Sequence, residues 1–117
     1  VAVRQGNGLF GVPQPLTNLN TNLVDGHPVL TRDGLTLYWS SNRVPGGGAP
    51  GTTTDIWSAT RASTADVFDT PMLVPDLNSS GSESLSWIAP DNCSALLQST
   101  RAPNKGLQDI FEAVRPL

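Results

Sequence analysis

The sequence predicts an all-β fold built from two consecutive four-stranded antiparallel sheets. Two observations carry this prediction: short apolar strand patterns bounded by turn residues, and an internal repeat that covers most of the chain. The 117 residues include 11 Gly and 10 Pro, which interrupt helices. Aromatic and aliphatic residues recur between the turns, so the composition is that of a turn-rich β domain rather than a disordered chain.

The internal repeat appears when Phe10 is placed over Phe68, which aligns residues 10–43 with residues 68–101 without a gap. The identical pairs in this alignment include Pro13 with Pro71 and Arg43 with Arg101. The loop that follows is longer in the first copy, and beyond it residues 55–61 align with residues 109–115. The change in length is confined to one loop, and loops are where a duplicated unit tolerates insertions.

The repeat divides the chain into three parts. Residues 1–9 are expected to form the closing strand of a preceding unit, because Val1–Arg4 resembles the end of each repeat. Residues 10–66 form the first repeat. Residues 67–117 form the second repeat, which is expected to lack an outer strand of its own.

A complete unit is predicted to consist of four short strands. The first unit combines His27–Thr31, Leu35–Ser41 and Asp55–Thr60 with a fourth strand, Phe68–Val74, at the start of the second repeat. The second unit has Leu85–Ala89, Ser94–Ser99 and Asp109–Val114, and its fourth strand is missing. A strand of the fourth type lies at the other end of the chain, at Phe10–Leu16. Asp33-Gly34 and Asp91-Asn92 are predicted to form the turns after the first strands, since Gly and Asn accept a positive φ.

The first repeat resembles the TolB-like, or WD40-like PD40, β-propeller repeat. The resemblance rests on Asp33-Gly34-Leu35-Thr36-Leu37-Tyr38-Trp39-Ser40-Ser41-Asn42-Arg43 and, after a glycine-rich loop, on Asp55-Ile56-Trp57. The second repeat departs from the pattern, with Asn92, Ala95 and Gln98 at motif positions. The resemblance implies one propeller blade per repeat, in a ring completed by other copies or by further sequence.

Three functions remain open on this basis. The resemblance implies a non-catalytic binding or scaffolding module that presents a ring face to a protein or glycan partner. The second interpretation is a propeller enzyme of the lyase or glycosidase type, with a metal or carboxylate site at the channel mouth. The third is a self-assembling structural subunit.

Candidate ligand-binding residues lie at the start of each repeat's first strand. Asp25 and Glu83 align with each other in the repeat, and His27 lies near Asp25. Repeated carboxylates lining a channel are candidate ligands for Ca²⁺, the only cofactor that the sequence suggests. The alternative interpretation is that both are solvated turn acids or backbone caps.

A second set of charged residues flanks the loop after the second strand of each repeat. Arg43 and Asp55 lie at the two ends of this loop in the first repeat, and Arg101 and Asp109 lie there in the second. They are predicted to form cross-strand ion pairs that close the loop, with a repeated charged ligand site as the alternative. The long loop Val44–Thr54 is the best candidate for a variable binding loop, and the alternative interpretation is a flexible connector.

The aromatic residues fall on predicted strand positions and are expected to pack in the core. They are Phe10, Tyr38, Trp39, Trp57, Phe68, Trp87 and Phe111. The single cysteine, Cys93, cannot form an internal disulfide and is expected to be a small buried thiol.

Charge and hydropathy limit the partners. The net charge of −3 argues against a nucleic-acid-binding face, and no apolar run is long enough to predict a membrane span. Self-association or the remainder of a longer propeller is expected to complete the ring. A single lysine, Lys105, in a chain rich in Ser, Thr and Asn favours a periplasmic or extracellular location.

Overall fold

The computed structural model describes residues 1–116 and contains seven strands in two antiparallel sheets. The first sheet has the order β1 (Asp25–Leu30), β2 (Thr36–Ser41), β3 (Asp55–Thr60), β4 (Met72–Leu73). The second sheet has the order β5 (Glu83–Ile88), β6 (Ser94–Ser99), β7 (Asp109–Val114). Residues 1–116 contain no helix, and thus none that is long and apolar enough to cross a bilayer. The all-β prediction is confirmed.

The sheets differ from the prediction at their edges. The first sheet has four strands and the second has three. Only Met72–Leu73 of the predicted strand Phe68–Val74 is a strand, and Phe10–Leu16 forms no strand but a single bridge, from Phe10 to Arg4. Both segments contain a proline, Pro71 and Pro13, and prolines in sheets are confined to edge strands. β1 and β5 each begin earlier than predicted, at Asp25 and Glu83.

The two sheets repeat the same register. β5 and β6 begin at the residues that the repeat aligns with the first residues of β1 and β2, and β7 begins at the residue aligned with the start of β3. Each first strand also carries a bulge at the corresponding place, between Gly26 and Val29 in β1 and between Leu85 and Trp87 in β5. Each bulge inserts one extra residue and so shifts the pairing by one position. Because of this shift, the side chains before and after the bulge lie on the faces of the sheet that the core requires.

Both predicted turns have the expected left-handed residue. Gly34 has a φ of 74° and Asn92 has a φ of 60°. In the first turn the side chain of Asp33 accepts hydrogen bonds from the Thr31 hydroxyl (2.6 Å) and from the Leu35 N–H (2.9 Å). In the second turn Asp91 accepts one from the Cys93 N–H (2.9 Å). An aspartate therefore closes each turn while the next residue makes the reversal.

The two faces of each sheet are used differently, and we name them by their residues. The A face carries Leu37, Trp39, Trp57 and Ala59 in the first sheet and Ala95, Leu97, Phe111 and Ala113 in the second. The B face carries Val29, Tyr38 and Ile56 in the first sheet and Trp87, Leu96 and Ile110 in the second. This assignment follows from strand alternation and the paired registers.

The sheets stack with unlike faces in contact. Ile56, Val29 and Tyr38 from the first B face share one core with the second A face. Val74 and Leu77, from the connection between the sheets, also pack in this core. The opposite A face, that of the first sheet, is covered by Leu16, Leu19, Phe68 and Leu73. The second B face has no cover among residues 1–116, and Trp87, Leu96 and Ile110 are exposed there.

The N-terminal segment repeats the pairing of β3 with its neighbour. The Gly11 N–H donates to the Val3 carbonyl (3.0 Å), and the Gln14 N–H donates to the Val1 carbonyl (2.9 Å). Asp69, the counterpart of Gly11, donates in the same way to the Thr60 carbonyl (2.7 Å). Residues 1–4 therefore take the place of a β3-type strand beside residues 10–14.

Candidate functional site

The first charged cluster joins the start of β1 to the end of β2. The Asp25 carboxylate pairs with the Arg43 guanidinium and accepts hydrogen bonds from the N–H and the hydroxyl of Thr21, both at 2.7 Å. Arg43 also donates to the Leu19 carbonyl (2.7 Å) and to the Ser41 hydroxyl (3.0 Å). Its guanidinium lies 5.2 Å and 5.5 Å from the ring centroids of the two A-face tryptophans.

The second charged cluster repeats the first almost group for group. Glu83 accepts hydrogen bonds from the hydroxyls of Ser79 and Ser99 and from the Ser79 N–H (3.1 Å), and it lies 3.4 Å from Arg101. Arg101 donates to the Leu77 carbonyl and to the Ser99 hydroxyl (2.9 Å). The Glu83 side chain is 0% exposed, so these protein groups take the place of water as its hydrogen-bond partners.

Each cluster ties three separate pieces of the chain together. The arginine follows the second strand, the carboxylate begins the first strand, and the carbonyl belongs to the connection that precedes the sheet. A largely buried carboxylate requires such partners, because an unpaired buried charge is costly. The arrangement therefore anchors the incoming connection to its sheet, in both repeats.

The ion pairs differ from those expected at the loop ends. Arg43 pairs with Asp25 rather than Asp55, and Arg101 pairs with Glu83 rather than Asp109. Asp109 instead accepts a hydrogen bond from the Lys105 N–H (2.5 Å) inside its own loop. Among residues 1–116, Asp55 is thus left outside both pairs.

The pKa values of two aspartates move in opposite directions. Partial burial favours the neutral form of Asp25, but hydrogen bonds from Arg43 and Thr21 outweigh it and lower its pKa from 3.8 to about 2. Burial and the negative charge of Glu83 raise the pKa of Asp55. Asp25 is therefore a stable anion, whereas Asp55 is the carboxylate that its surroundings destabilise.

The predicted ligand residues do not come together as a metal site. Asp25 and Glu83 each lie in their own arginine cluster, and His27 is exposed on the bulge of β1 with a φ of 52°. Within residues 1–116, no three His, Cys, Asp or Glu side chains are grouped so that they could hold a metal ion. The Ca²⁺ interpretation finds no set of ligands in this part of the chain.

The long loop Val44–Thr54 borders an open cleft of about 350 Å³ on the first sheet. Its lining includes Arg43, Trp57 and the loop glycines Gly46, Gly47 and Gly48. The three glycines have φ values of 82°, 82° and 114°, and no atom beyond the adjacent residues lies within 4 Å of the position where a Cβ would be built. The loop therefore presents bare backbone to solvent, in a conformation that other residues rarely adopt.

A second cleft, of about 300 Å³, opens between the two sheets. We call it the intersheet cleft; it is lined by apolar side chains from both sheets, the turn around Asn92, and two charged residues, Asp76 and Arg115. Cys93 also lines it and is half-buried, so the expectation of a buried thiol is not met in full. The cleft combines an apolar floor with a rim that carries one acidic and one basic residue, Asp76 and Arg115.

Comparison with protein-family models, curated proteins and solved structures found no match to this chain.

Sequence reasoning missed the true partners of both arginines. The repeat aligns Asp25 with Glu83, Arg43 with Arg101 and Leu19 with Leu77, so all three members of each cluster were visible as repeated positions. Proximity along the chain favoured Asp55, which is closer in sequence to Arg43 than Asp25 is. The better signal was the antiparallel register, which places Asp25 directly opposite Ser41.

Proposed function

We propose that this chain is a non-catalytic binding and scaffolding module of the TolB-like propeller type. Its two sheets would be neighbouring blades, and the loops at their ends would form the recognition surface. The observation that carries the proposal is the contact of unlike faces, with the first B face on the second A face. Such a contact can be repeated around an axis, as the blades of a propeller require.

The recognition surface of this module is the loop Val44–Thr54 with its cleft. It is the place where the two repeats differ most in length, since residues 102–108 make up the corresponding loop of the second repeat. Residues 45–50 are exposed, while the sheet beneath them is fixed by the Asp25–Arg43 cluster. A variable loop on a rigid support is a common form of binding site.

A protein is the partner that this loop favours over a glycan. Sugars are commonly held on exposed aromatic faces, but Trp57, the aromatic residue in this cleft, is buried and lies beside Arg43. The loop offers exposed backbone from its glycines instead, although the Gly47 N–H already donates to the Val44 carbonyl (3.1 Å). An exposed backbone of this kind suits pairing with an extended peptide backbone.

A loop exchange tests this function. Replacing residues 44–54 by residues 102–108 is expected to preserve the circular dichroism spectrum, because the second sheet carries that short loop on the same register. Wild type and the exchanged variant are screened against a displayed peptide library and a glycan array. Peptides retained by wild type and lost by the variant support the proposal. Equal binding by both, or loop-dependent binding to glycans alone, contradicts it.

A further inference from the structure

The outer edge of β7 is where the second sheet is incomplete relative to the first. In the first sheet β4 pairs with β3 through Trp57–Leu73 and Ser58–Met72, and Phe68 lies buried nearby with 5% of its surface exposed. Among residues 1–116, β7 has β6 as its one partner strand. The edge therefore lacks both a strand and a buried phenyl ring.

The intersheet cleft lies where that ring would belong. Its lining includes Leu77, Ala95 and Ala113. Their counterparts in the first repeat are Leu19, Leu37 and Ala59, which share a core with Phe68. The second repeat thus has the walls of a phenylalanine pocket without the ring.

The arginine in the lining of the cleft also fits a phenyl ring. Arg115 is the counterpart of Arg61, whose guanidinium lies 4.4 Å from the centroid of the Phe68 ring. The backbone of the two arginines is held alike, since the N–H of Arg61 donates to the Leu35 carbonyl (2.9 Å) and that of Arg115 to the Cys93 carbonyl (2.8 Å). An aromatic ring in the cleft would gain a cation–π contact there.

One contact of the first pocket has no equivalent in the second. The Asn18 side-chain amide donates to the Phe68 carbonyl (2.7 Å), but Asp76 stands at this position in the cleft and its carboxylate has no N–H. Contacts with an aromatic ring would therefore be the main favourable interaction that the cleft offers.

The chain itself contains a segment that matches this empty place. Residues 10–16 align with residues 68–74 of the first sheet's outer edge, and Phe10 aligns with Phe68. Phe10 is 69% exposed, although Phe68 is buried. A large exposed aromatic side chain and an empty pocket for its counterpart are thus present in one molecule.

Pro15 does not prevent this segment from pairing with β7. It aligns with Leu73, and the hydrogen bond from the Val74 N–H to the Ile56 carbonyl (3.1 Å) sets the ladder pattern at that edge. Hydrogen-bonded pairs alternate with non-hydrogen-bonded ones, which makes Leu73–Trp57 a non-hydrogen-bonded pair. A proline at this position costs no ladder bond.

We propose that residues 10–16 of a second copy add as a strand to the outer edge of β7, with Phe10 in the intersheet cleft. The inference deepens the proposed function and rests on it, because it names the partner that extends the stack of sheets. Strand addition supplies backbone hydrogen bonds, and the side-chain pocket supplies the specificity. The contact is heterologous, so each copy both donates a segment and accepts one.

The same contact covers the exposed B face of the second sheet. Ile56 on the first B face is 0% exposed, whereas its counterpart Ile110 is 79% exposed. Within the chain, the outer edge strand leads into a connection and then into the sheet that covers Ile56. In the second copy, residues 10–16 are likewise followed by a connection and then by that copy's first sheet. That sheet would cover Ile110 of the accepting copy.

Strand addition requires residues 10–16 to leave their present partner, residues 1–4 of the same chain, and to pair with β7 of another copy. The Gln14 N–H and the Gly11 N–H are bonded to residues 1–3 of their own chain, in the pattern that β3 shows. The end of β7 resembles residues 1–4 and offers the same groups, together with the cleft. Deleting residues 1–4 removes the competitor and is expected to strengthen association.

Sedimentation velocity over a dilution series tests the proposal on the full chain. Wild type is expected to form concentration-dependent oligomers, and Phe10→Asp to weaken their association by about thirtyfold, as expected for a buried aromatic anchor. Val67→Asp is the matched control, because Val67 is also a large exposed apolar residue but belongs neither to residues 10–16 nor to the lining of the cleft. A wild type that stays monomeric, or equal effects of the two substitutions, overturns the proposal.

A mixing experiment separates donor from acceptor. Ala113→Phe fills the cleft, and Arg115→Glu reverses the charge of its rim arginine without burying a new group; each is expected to block acceptance but not donation. Either variant mixed with Phe10→Asp should give dimers, although each protein alone is monomeric, and dimers absent from the mixture contradict the proposal. The loop-exchange variant keeps this contact, so failure of association and failure of partner binding are distinguishable.

Discussion

At the scale of single residues, the Asp25–Arg43 and Glu83–Arg101 clusters determine how each connection meets its sheet. The carboxylate is the least exposed charged group in each, and its partners include hydroxyls and backbone N–H groups as well as the arginine. Hydrogen bonds to an ionised group are stronger than those between neutral groups. The two clusters therefore contribute to the stability of the fold.

The stabilisation from Asp25 should depend on pH. Its pKa is lowered from 3.8 to about 2 by Arg43 and Thr21, against the effect of burial, which acts in the opposite direction. A lowered pKa means that the stabilisation is complete above pH 3.8 and is lost as the pH falls through about 2. Asp25→Asn is expected to reduce the free energy of unfolding at neutral pH by about 1–3 kcal/mol.

Urea unfolding at neutral pH and at acidic pH measures this contribution. The Asp25→Asn variant should lose less stability than wild type between these conditions, because the titrating group is gone. Asp69→Asn serves as the control, since Asp69 is exposed and takes part in no ion pair within residues 1–116. Parallel pH profiles for wild type and Asp25→Asn would refute the assignment.

The candidate residues Asp25 and Glu83 were visible in the sequence, but their role was not. Their alignment revealed that a carboxylate is repeated at the start of each sheet. It gave no distances, so it could not show that Arg43 reaches back across β2 to Asp25. The exposed position of His27 follows from a bulge that no local pattern in Gly26-His27-Pro28 predicts.

At the scale of elements, the strands were predictable because turn residues bound them closely. β3, β6 and β7 have the predicted limits, and both left-handed turn residues were identified. The edges were less predictable, since Met72–Leu73 and Phe10 pair over two residues and one residue, which no sequence pattern specifies. The prediction that all aromatics pack in the core was wrong for Phe10 and Trp87, which are exposed.

The stack of unlike faces predicts different costs for two equivalent isoleucines. Ile56→Ala is expected to lower the free energy of unfolding by about 2–5 kcal/mol, because it leaves a cavity in the core shared by both sheets. Ile110→Ala should change it by less than about 0.5 kcal/mol in the monomer, since Ile110 is exposed. Urea titration at concentrations where sedimentation shows monomers compares the two; similar losses would argue against the stack.

At the scale of the whole molecule, the two sheets are expected to unfold together. Ile56 from the first sheet and Leu85 and Leu97 from the second lie in one core, so each sheet would expose its side of that core without the other. A shared core of this kind makes unfolding cooperative.

Replacing Trp87 by Phe makes fluorescence report on Trp39 and Trp57 in the first sheet, while circular dichroism reports on both sheets. The two signals are expected to give one midpoint in urea. Separate midpoints would show that the sheets are independent units. The sequence could not settle this point, because the repeat alone is equally compatible with two self-sufficient halves.

The Asp25–Arg43 cluster also affects how such a protein can evolve, because it joins β1, β2 and the preceding connection. The residues of the Asp25–Arg43 cluster all lie within one short stretch of the gene, from the codon of Leu19 to that of Arg43. Unequal crossing-over between two repeats would insert or remove one complete sheet. The sheet would keep its charged cluster and the face on which the next sheet packs. Related proteins could therefore differ in length by whole sheets, without compensating substitutions where neighbouring sheets meet.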